Sequence, residues 1–397
     1  MIDAVIVVPT RNRAQLARNA IRSVLDERVD GVQIMVSDNS TSETDREDLA
    51  QYCSTLNDSR LRYVRPPESL PMPEHWEWAI EEALAFYDKA GHFTYLTDRM
   101  MFKSGGLKEV LDVAARYPDK VVSYNQDRIV DHVRPIHVDH YPSTAKLWEV
   151  PTERLSWLVS QAALHHGLPR MLNCIVPRAV FDRLRARFGN VFASIAPDFN
   201  FCFRCLDIEE SILFLDKSPM FHYALNRSNG ASVSRGEMTP DNADFTANLP
   251  VDNSVRNYAT PIPQLNTAVN AVFNEYLLYK QETASPRFFD IDFQKYLELN
   301  AVEMTEVSDP RLKAEMHGLL EKHGYRETAV ASPPADQNWL RRARSFIGRL
   351  KPPAAAPCPE FVELNDAIEY VRNSSRSTPQ SPSAVRALLH ARELPLQ

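Results

Sequence analysis

Between Asp3 and Tyr124 the chain repeats a short apolar run followed by a helical pattern, which restricts it to an open α/β sheet of mostly parallel strands. AVIVV (4–8) is a continuous apolar run short enough for a strand buried on both faces. Behind it Leu16, Ala17, Ala20, Ile21, Val24 and Leu25 recur at helical spacing. VQIMV (32–36), LRYV (61–64), HFTYL (92–96) and KVVSY (120–124) predict further strands, with helices expected over 74–88 and 105–116. Crossovers of this length suit parallel neighbours. The strands end in VVPTRNR (7–13), VSDNS (36–40) and YLTDRMM (95–101). Polar residues just past the carboxyl ends of parallel strands are where such a sheet binds its ligand, so the pattern predicts a nucleotide site.

Beyond 124 the regularity loosens. Residues 125–170 are rich in His, Pro and charge and read as loops over the sheet. PRAVFDRLRARFG (177–189) predicts a helix with Gly189 as C-cap. A further helix is expected from Pro197, and SILFLDKSPMFHYAL (211–225) reads as one or two strands. NRSNGASVSRG (226–236) reads as a polar loop, with positive φ available at Gly230 and Gly236. The expected organisation is a nucleotide-binding half over 1–124, a second half of the same α/β domain over 125–236 and a helical annex over 237–330. Proline-rich linkers and an ill-ordered tail are expected over 331–397.

A net charge of −7 over 397 residues argues against a nucleic-acid binder, which would show a basic face. No window approaches the roughly 18 to 20 unbroken apolar residues of a membrane span. MIDAVIVVPT has no basic region ahead of its apolar run, so the expectation is a cytoplasmic protein. The five dispersed cysteines suit free thiols in a reducing compartment. Cys202 and Cys205 have CxxC spacing, but no second pair follows, and FNFCFRCLDI reads as a buried helix.

With these pieces in place, residues 3–235 resemble a family 2 glycosyltransferase of GT-A fold. The resemblance is carried by VVPTRNR, VSDNSTSETD, LRYVRPPESLPMPEHWEWAIEEA, LTDRMMFKSGGL, APDF (196–199) and NGASVSRG, in that order. It implies transfer of a sugar from a nucleotide-activated donor to a hydroxyl of a glycan or lipid-linked glycan, with inversion. It also implies that Thr10, Arg11 and Asp38 cradle the nucleoside, with Arg13 beside them. Asp38 has a second reading, as an Asx turn in SDNS. Cations such as Arg11 and Arg13 gain nothing from a helix N-terminus, which points to a phosphate partner. The alternative is a solvated helix start.

The resemblance departs at LTDRMM, where the family carries clustered aspartates that hold a divalent ion against the donor diphosphate. Only Asp98 remains, followed by Arg99 and Met100. A thioether is a poor ligand for Mg²⁺ or Mn²⁺, although one carboxylate can bind Mg²⁺ when substrate phosphates complete the shell. Arg99, helped by Lys103 or Arg13, is expected to replace the metal at the leaving phosphate, because a guanidinium grips two oxygens and stays charged. By resemblance Asp198 is the general base; Pro197 and Asp198 are equally what a helix first turn prefers. Gly230 and Ser232 read as a lid over the donor phosphates or as a simple turn.

Trp76, Ile80, Ala83, Leu84 and Tyr87 fall on one face of a helix and read as core. The histidines at 132, 137, 140, 165 and 166 lack metal-ligand spacing. In NWLRRARSFIGRLK (338–351), Trp339, Leu340, Ala343, Phe346, Ile347 and Leu350 form an apolar stripe. Arg341, Arg342, Arg344, Arg349 and Lys351 fall largely elsewhere, the pattern of a helix lying on an anionic membrane. This places the enzyme peripherally at the inner face of the cytoplasmic membrane. The competing function is a catalytically silent GT-A domain used for binding or assembly in a polysaccharide-synthesis complex.

Overall fold

The computed structural model describes residues 4–249, 258–326, 359–374 and 377–396. Its first half follows the expected alternation. β1 (Ala4–Thr10) leads to α1 (Ala14–Leu25), β2 (Val32–Asp38) to α2 (Glu43–Leu56), and β3 (Leu61–Val64) to α3 (Met72–Phe86). β4 (His92–Tyr95) and β5 (Met100–Phe102) precede α4 (Gly106–Arg116) and β6 (Val122–Val130). β1 is buried at every position because helices cover both faces, which is why its sequence is unbroken apolar rather than alternating.

The region read as loops is more regular than its composition suggests. It contains β7 (His137–Asp139), β8 (Pro142–Ser143), β9 (Leu147–Pro151) and α5 (Thr152–Ser160) before β10 (Cys174–Pro177). α6 (Arg178–Phe188) ends at Gly189 with φ 80°, the expected left-handed cap. α7 (Pro197–Ile208) begins at the expected proline, and β11 (Ser211–His222) is one strand with a register shift between Leu215 and Met220. α8 (Asn229–Ser234) and α9 (Pro240–Ala247) follow, then α10 (Ala268–Thr283), α11 (Phe293–Glu303) and α12 (Pro310–Lys322). Ile262, Leu265, Val269, Phe273, Tyr296, Leu297, Met316 and Leu320 give these last three helices a core of their own.

Within the span expected as linkers and tail, residues 359–374 and 377–396 form elements that pack on the sheet. α13 (Leu364–Asn373) packs Ala367 and Val371 against Ile129, Val138 and Phe221. β12 (Thr378–Pro379) pairs with β8, and after α14 (Pro382–Leu389) β13 (Arg392–Leu394) pairs antiparallel with β9. The basic segment at 338–351 lies outside the described residues.

The main sheet runs β13-β9-β11-β6-β10-β4-β1-β2-β3. β1 pairs parallel with β2 and β4, β2 with β3, and β6 with β11. β10 is antiparallel to both β4 and β6. This inversion positions the site, because the segment entering β10 arrives at the edge where β1, β4 and β6 end. One core lies under α3, α5, α6 and α7 with Trp76, Phe93, Phe181 and Phe201 at its centre; the other lies under α1, α2 and α4. No described helix is long and apolar enough to cross a membrane.

Candidate active site

The tips of β1 and β2 are tied together by side chains from the two motifs. Asn12 adopts φ 54°, and its Oδ1 accepts the backbone N–H groups of Thr41 (2.8 Å) and Ser42 (2.9 Å). The Asn12 N–H donates to Ser40 Oγ (2.8 Å), and Asp45 Oδ1 caps α1 at the Ala14 N–H (3.0 Å). VSDNSTSETD therefore fixes the path of PTRNR, which turns Thr10, Arg11 and Arg13 into a cleft of about 870 Å³ above the sheet.

Thr10, Arg11, Arg13, Asp98, Arg99, Asp198 and Gly230 all line this cleft. Asp98 is buried and accepts from Thr10 Oγ1 (2.9 Å) and from Arg13 Nη1 (3.4 Å). Arg99 reaches the Tyr223 carbonyl at 3.4 Å. Burial and the neighbouring Arg13 push its pKa down to about 10, so it remains a cation at neutral pH. Met100 is core, so Asp98 has no second carboxylate two residues on. Among the described residues no group of three or more His, Cys, Asp or Glu is placed to hold a metal ion. The donor set here fits a divalent ion poorly: one carboxylate, already bonded to Thr10 and Arg13, beside a guanidinium and a thioether.

Three expected placements differ. Asp38 does not line the cleft. It is fully buried, with Oδ1 accepting the Ser40 N–H (2.9 Å) and Oδ2 accepting the Tyr63 hydroxyl (2.7 Å), which is the Asx-turn arrangement. Lys103 points away from the cleft and donates to Asp127 Oδ2 (2.6 Å), which also bonds His140 Nδ1 (2.6 Å), so it cannot assist Arg99. Ser232 lies inside α8 with its hydroxyl on the Ser228 carbonyl (2.8 Å); only Gly230 of that pair faces the cleft. His75 lines the cleft but bonds Ser37 Oγ through Nε2 (2.8 Å), and burial followed by Arg11 lowers its pKa to about 3. Trp76 is core against Tyr95 and Phe192.

Asp198 occupies the first turn of α7 and faces the cleft. Burial raises its pKa, while the Arg170 charge and the turn's own N–H groups pull the other way. Behind it Glu275 of α10, fully buried, accepts from Ser194 Oγ (2.7 Å), the Ala196 N–H (3.3 Å) and Asn200 Nδ2 (3.4 Å). Glu275 thus holds the start of the helix that presents Asp198, and burial raises its pKa to about 7.

Sequence reasoning missed Arg227, Asp241 and Asp244. Arg227 forms an ion pair with Asp241 (3.0 Å from Nη2 to Oδ1), and Asp241 also accepts from Arg13 Nε (3.3 Å). Asp244 takes Arg11 in a two-pronged pair at 2.6 and 3.1 Å. α9 therefore lays two carboxylates on three guanidiniums at the β1 tip. Arg227 lay within a noted motif, but its partners are set by packing that no local pattern reveals.

Residues 5–156 match the model of glycosyl transferase family 2. No curated protein sequence matches the chain. Similar solved structures include S. aureus TarS 1–349 in complex with UDP-GlcNAc, at 12% identity and TM-score 0.45, over 83% of this chain and 95% of that one. Another is S. aureus TarS at 13% identity and TM-score 0.45, over 82% of this chain and 56% of that one. With the family match spanning β1 to α5 and the strand-end cleft formed at these strand tips, residues 5–156 carry a glycosyl transferase family 2 domain.

Proposed function

We propose that the enzyme transfers a sugar, with inversion, from a nucleotide-activated donor to a hydroxyl of a glycan or lipid-linked glycan. Asp198 acts as general base. The acceptor oxygen attacks the anomeric carbon as its proton passes to the Asp198 carboxylate; the bond to the donor phosphate breaks, and its electron pair leaves with the nucleotide. A base in this role contributes about 10² to 10⁴ in rate. Its raised pKa suits a carboxylate that must hold the proton it takes.

Arg99, with Arg13 and Arg227 beside it, stabilises the departing phosphate by fixed positive charge, and Thr10 and Arg11 flank the nucleoside. The observation that supports this reading is the convergence of Asp98 and Arg99, from the turn between β4 and β5, and Asp198, from α7, on one cleft. Attachment to an anionic membrane through Trp339, Arg341, Arg342, Arg344, Phe346 and Arg349 is part of the proposal, and fits assembly of an envelope polysaccharide.

A thermal-shift panel of UDP, GDP, CDP, CMP and dTDP, each with and without Mn²⁺, tests donor binding and metal use together. One nucleotide should stabilise the protein selectively, without Mn²⁺. No response to any of them would remove the donor reading, and a strict Mn²⁺ requirement would remove the arginine substitution.

A further inference from the structure

Of the arginines lining the cleft, Arg11, Arg13, Arg128, Arg227 and Arg235 each hold a carboxylate, from Asp244, Asp98 and Asp241, Asp139, Asp241 and Glu237 respectively. Arg170 does not. Among the described residues its guanidinium has no hydrogen bond or ion pair; it lies over the Phe199 ring, 5.5 Å from the centroid. His222, at the end of β11, faces the same cleft, and among the described residues its ring has no hydrogen-bond partner. A cation and a polar ring left without partners in a partly desolvated cleft are costly unless a ligand completes them.

The position of these groups is built into the fold. Arg170 is fixed by its N–H to Asn173 Oδ1 (2.9 Å), and Asn173 Nδ2 in turn donates to the carbonyls of Tyr124, His166 and Leu168 at 3.0 to 3.1 Å. Because β10 is antiparallel, this segment reaches the ligand edge of the sheet. There Arg170 lies close enough to Asp198 to lower its pKa, yet makes no ion pair within 4.0 Å that would occupy the carboxylate. His222 lies on the β6–β11 half of the sheet, with Gln126, Arg128 and Arg170 on the same wall of the cleft; Thr10, Arg11 and Arg13 are at β1. Burial, and after it the charges of Arg128, Arg99 and Arg170, depress the His222 pKa.

We infer that Arg170 and His222 form an anion subsite beside Asp198, which takes a phosphate or carboxylate carried by the acceptor next to the hydroxyl that is glycosylated. This rests on the glycosyltransferase reading of Asp198 and names the acceptor class as anionic. The subsite gives specificity: a neutral acceptor leaves the guanidinium unpaired, and an anionic one completes it and is thereby held against the base.

The test uses the full chain, first saturated with whichever nucleotide of the panel binds, so that the donor-phosphate cations are filled. Inorganic phosphate is then titrated by calorimetry into wild type, Arg170→Gln and His222→Gln. Each variant should lose about tenfold or more in phosphate affinity, the scale of one charge-assisted hydrogen bond, while nucleotide affinity is unchanged. Equal phosphate binding in wild type and Arg170→Gln overturns the subsite. A comparable loss of nucleotide affinity also overturns it, since Arg170 would then belong to the donor phosphates. Selective loss of UDP-glucuronate over UDP-glucose in Arg170→Gln overturns the acceptor assignment. If no nucleotide binds, the donor reading has failed on its own, and the same titration on unloaded protein decides the subsite by the same tenfold difference.

Discussion

Glu275 offers a quantitative test of how the start of α7 is held. Its carboxyl is fully buried between α10 and α7, and burial raises its pKa from 4.5 to about 7, with the nearby Asp198 adding to the rise. The folded protein therefore keeps this proton to higher pH than the unfolded chain does. Its contribution to stability is complete below about pH 4.5 and is lost as pH climbs through about 7. At 1.36 kcal/mol for each pKa unit, the loss across that window is about 3 kcal/mol. Glu275→Gln removes the titrating group. The amide keeps one carbonyl oxygen for Ser194 and the Ala196 N–H but leaves Asn200 Nδ2 without its acceptor, at a cost of about 1 to 3 kcal/mol that does not depend on pH. Urea unfolding of both proteins from pH 4.5 to 8 separates the two effects. The wild type should lose stability relative to the variant by about 3 kcal/mol as pH rises. Parallel pH profiles would refute the buried, proton-holding carboxyl.

Two other perturbations address the cleft and the frame beneath it. Because Asp241 and Asp244 hold the same guanidiniums that the donor phosphates would use, Asp241→Asn with Asp244→Asn should tighten binding of the panel's nucleotide by about tenfold in calorimetry. Unchanged or weaker binding would show that α9 does not compete. A Cβ at Gly106 would lie 2.1 Å from the Pro219 carbonyl oxygen, so Gly106→Ala should destabilise the protein by about 1 to 3 kcal/mol. An unaltered unfolding midpoint would mean that α4 and β11 are not packed as described.

Much of the first half of the fold is legible from local pattern. β1 is buried on both faces and reads as an unbroken apolar run, β2 and β4 are largely buried and read as mostly apolar runs, and α1 and α4 carry clean apolar stripes. α2 was not foreseen because it buries only Leu49 and Cys53, leaving almost no periodic signal in ETDREDLAQYCSTL. β10 is four residues and β13 three, too short to show a period; their pairing partners, β4, β6 and β9, define them. α5 was hidden by the polar composition around it, although TERLSWLVS buries Leu155, Leu158 and Val159. In the site, Thr10, Arg13, Asp98, Arg99 and Asp198 share one cleft as their motifs imply. Asp38 illustrates the limit: SDNS fits a ligand contact and an Asx turn equally well, and Tyr63, from a different strand, holds it inward. Glu275, Asp241 and Asp244 act on residues far away in sequence, where no spacing rule applies.

The central claim is that Asp198 removes the acceptor proton while other groups hold the donor. Turnover and nucleotide affinity of Asp198→Asn, measured on the same preparation, test it most directly. The account predicts unchanged nucleotide binding and a fall in transfer of about 10² to 10⁴. Transfer at the wild-type rate would contradict it.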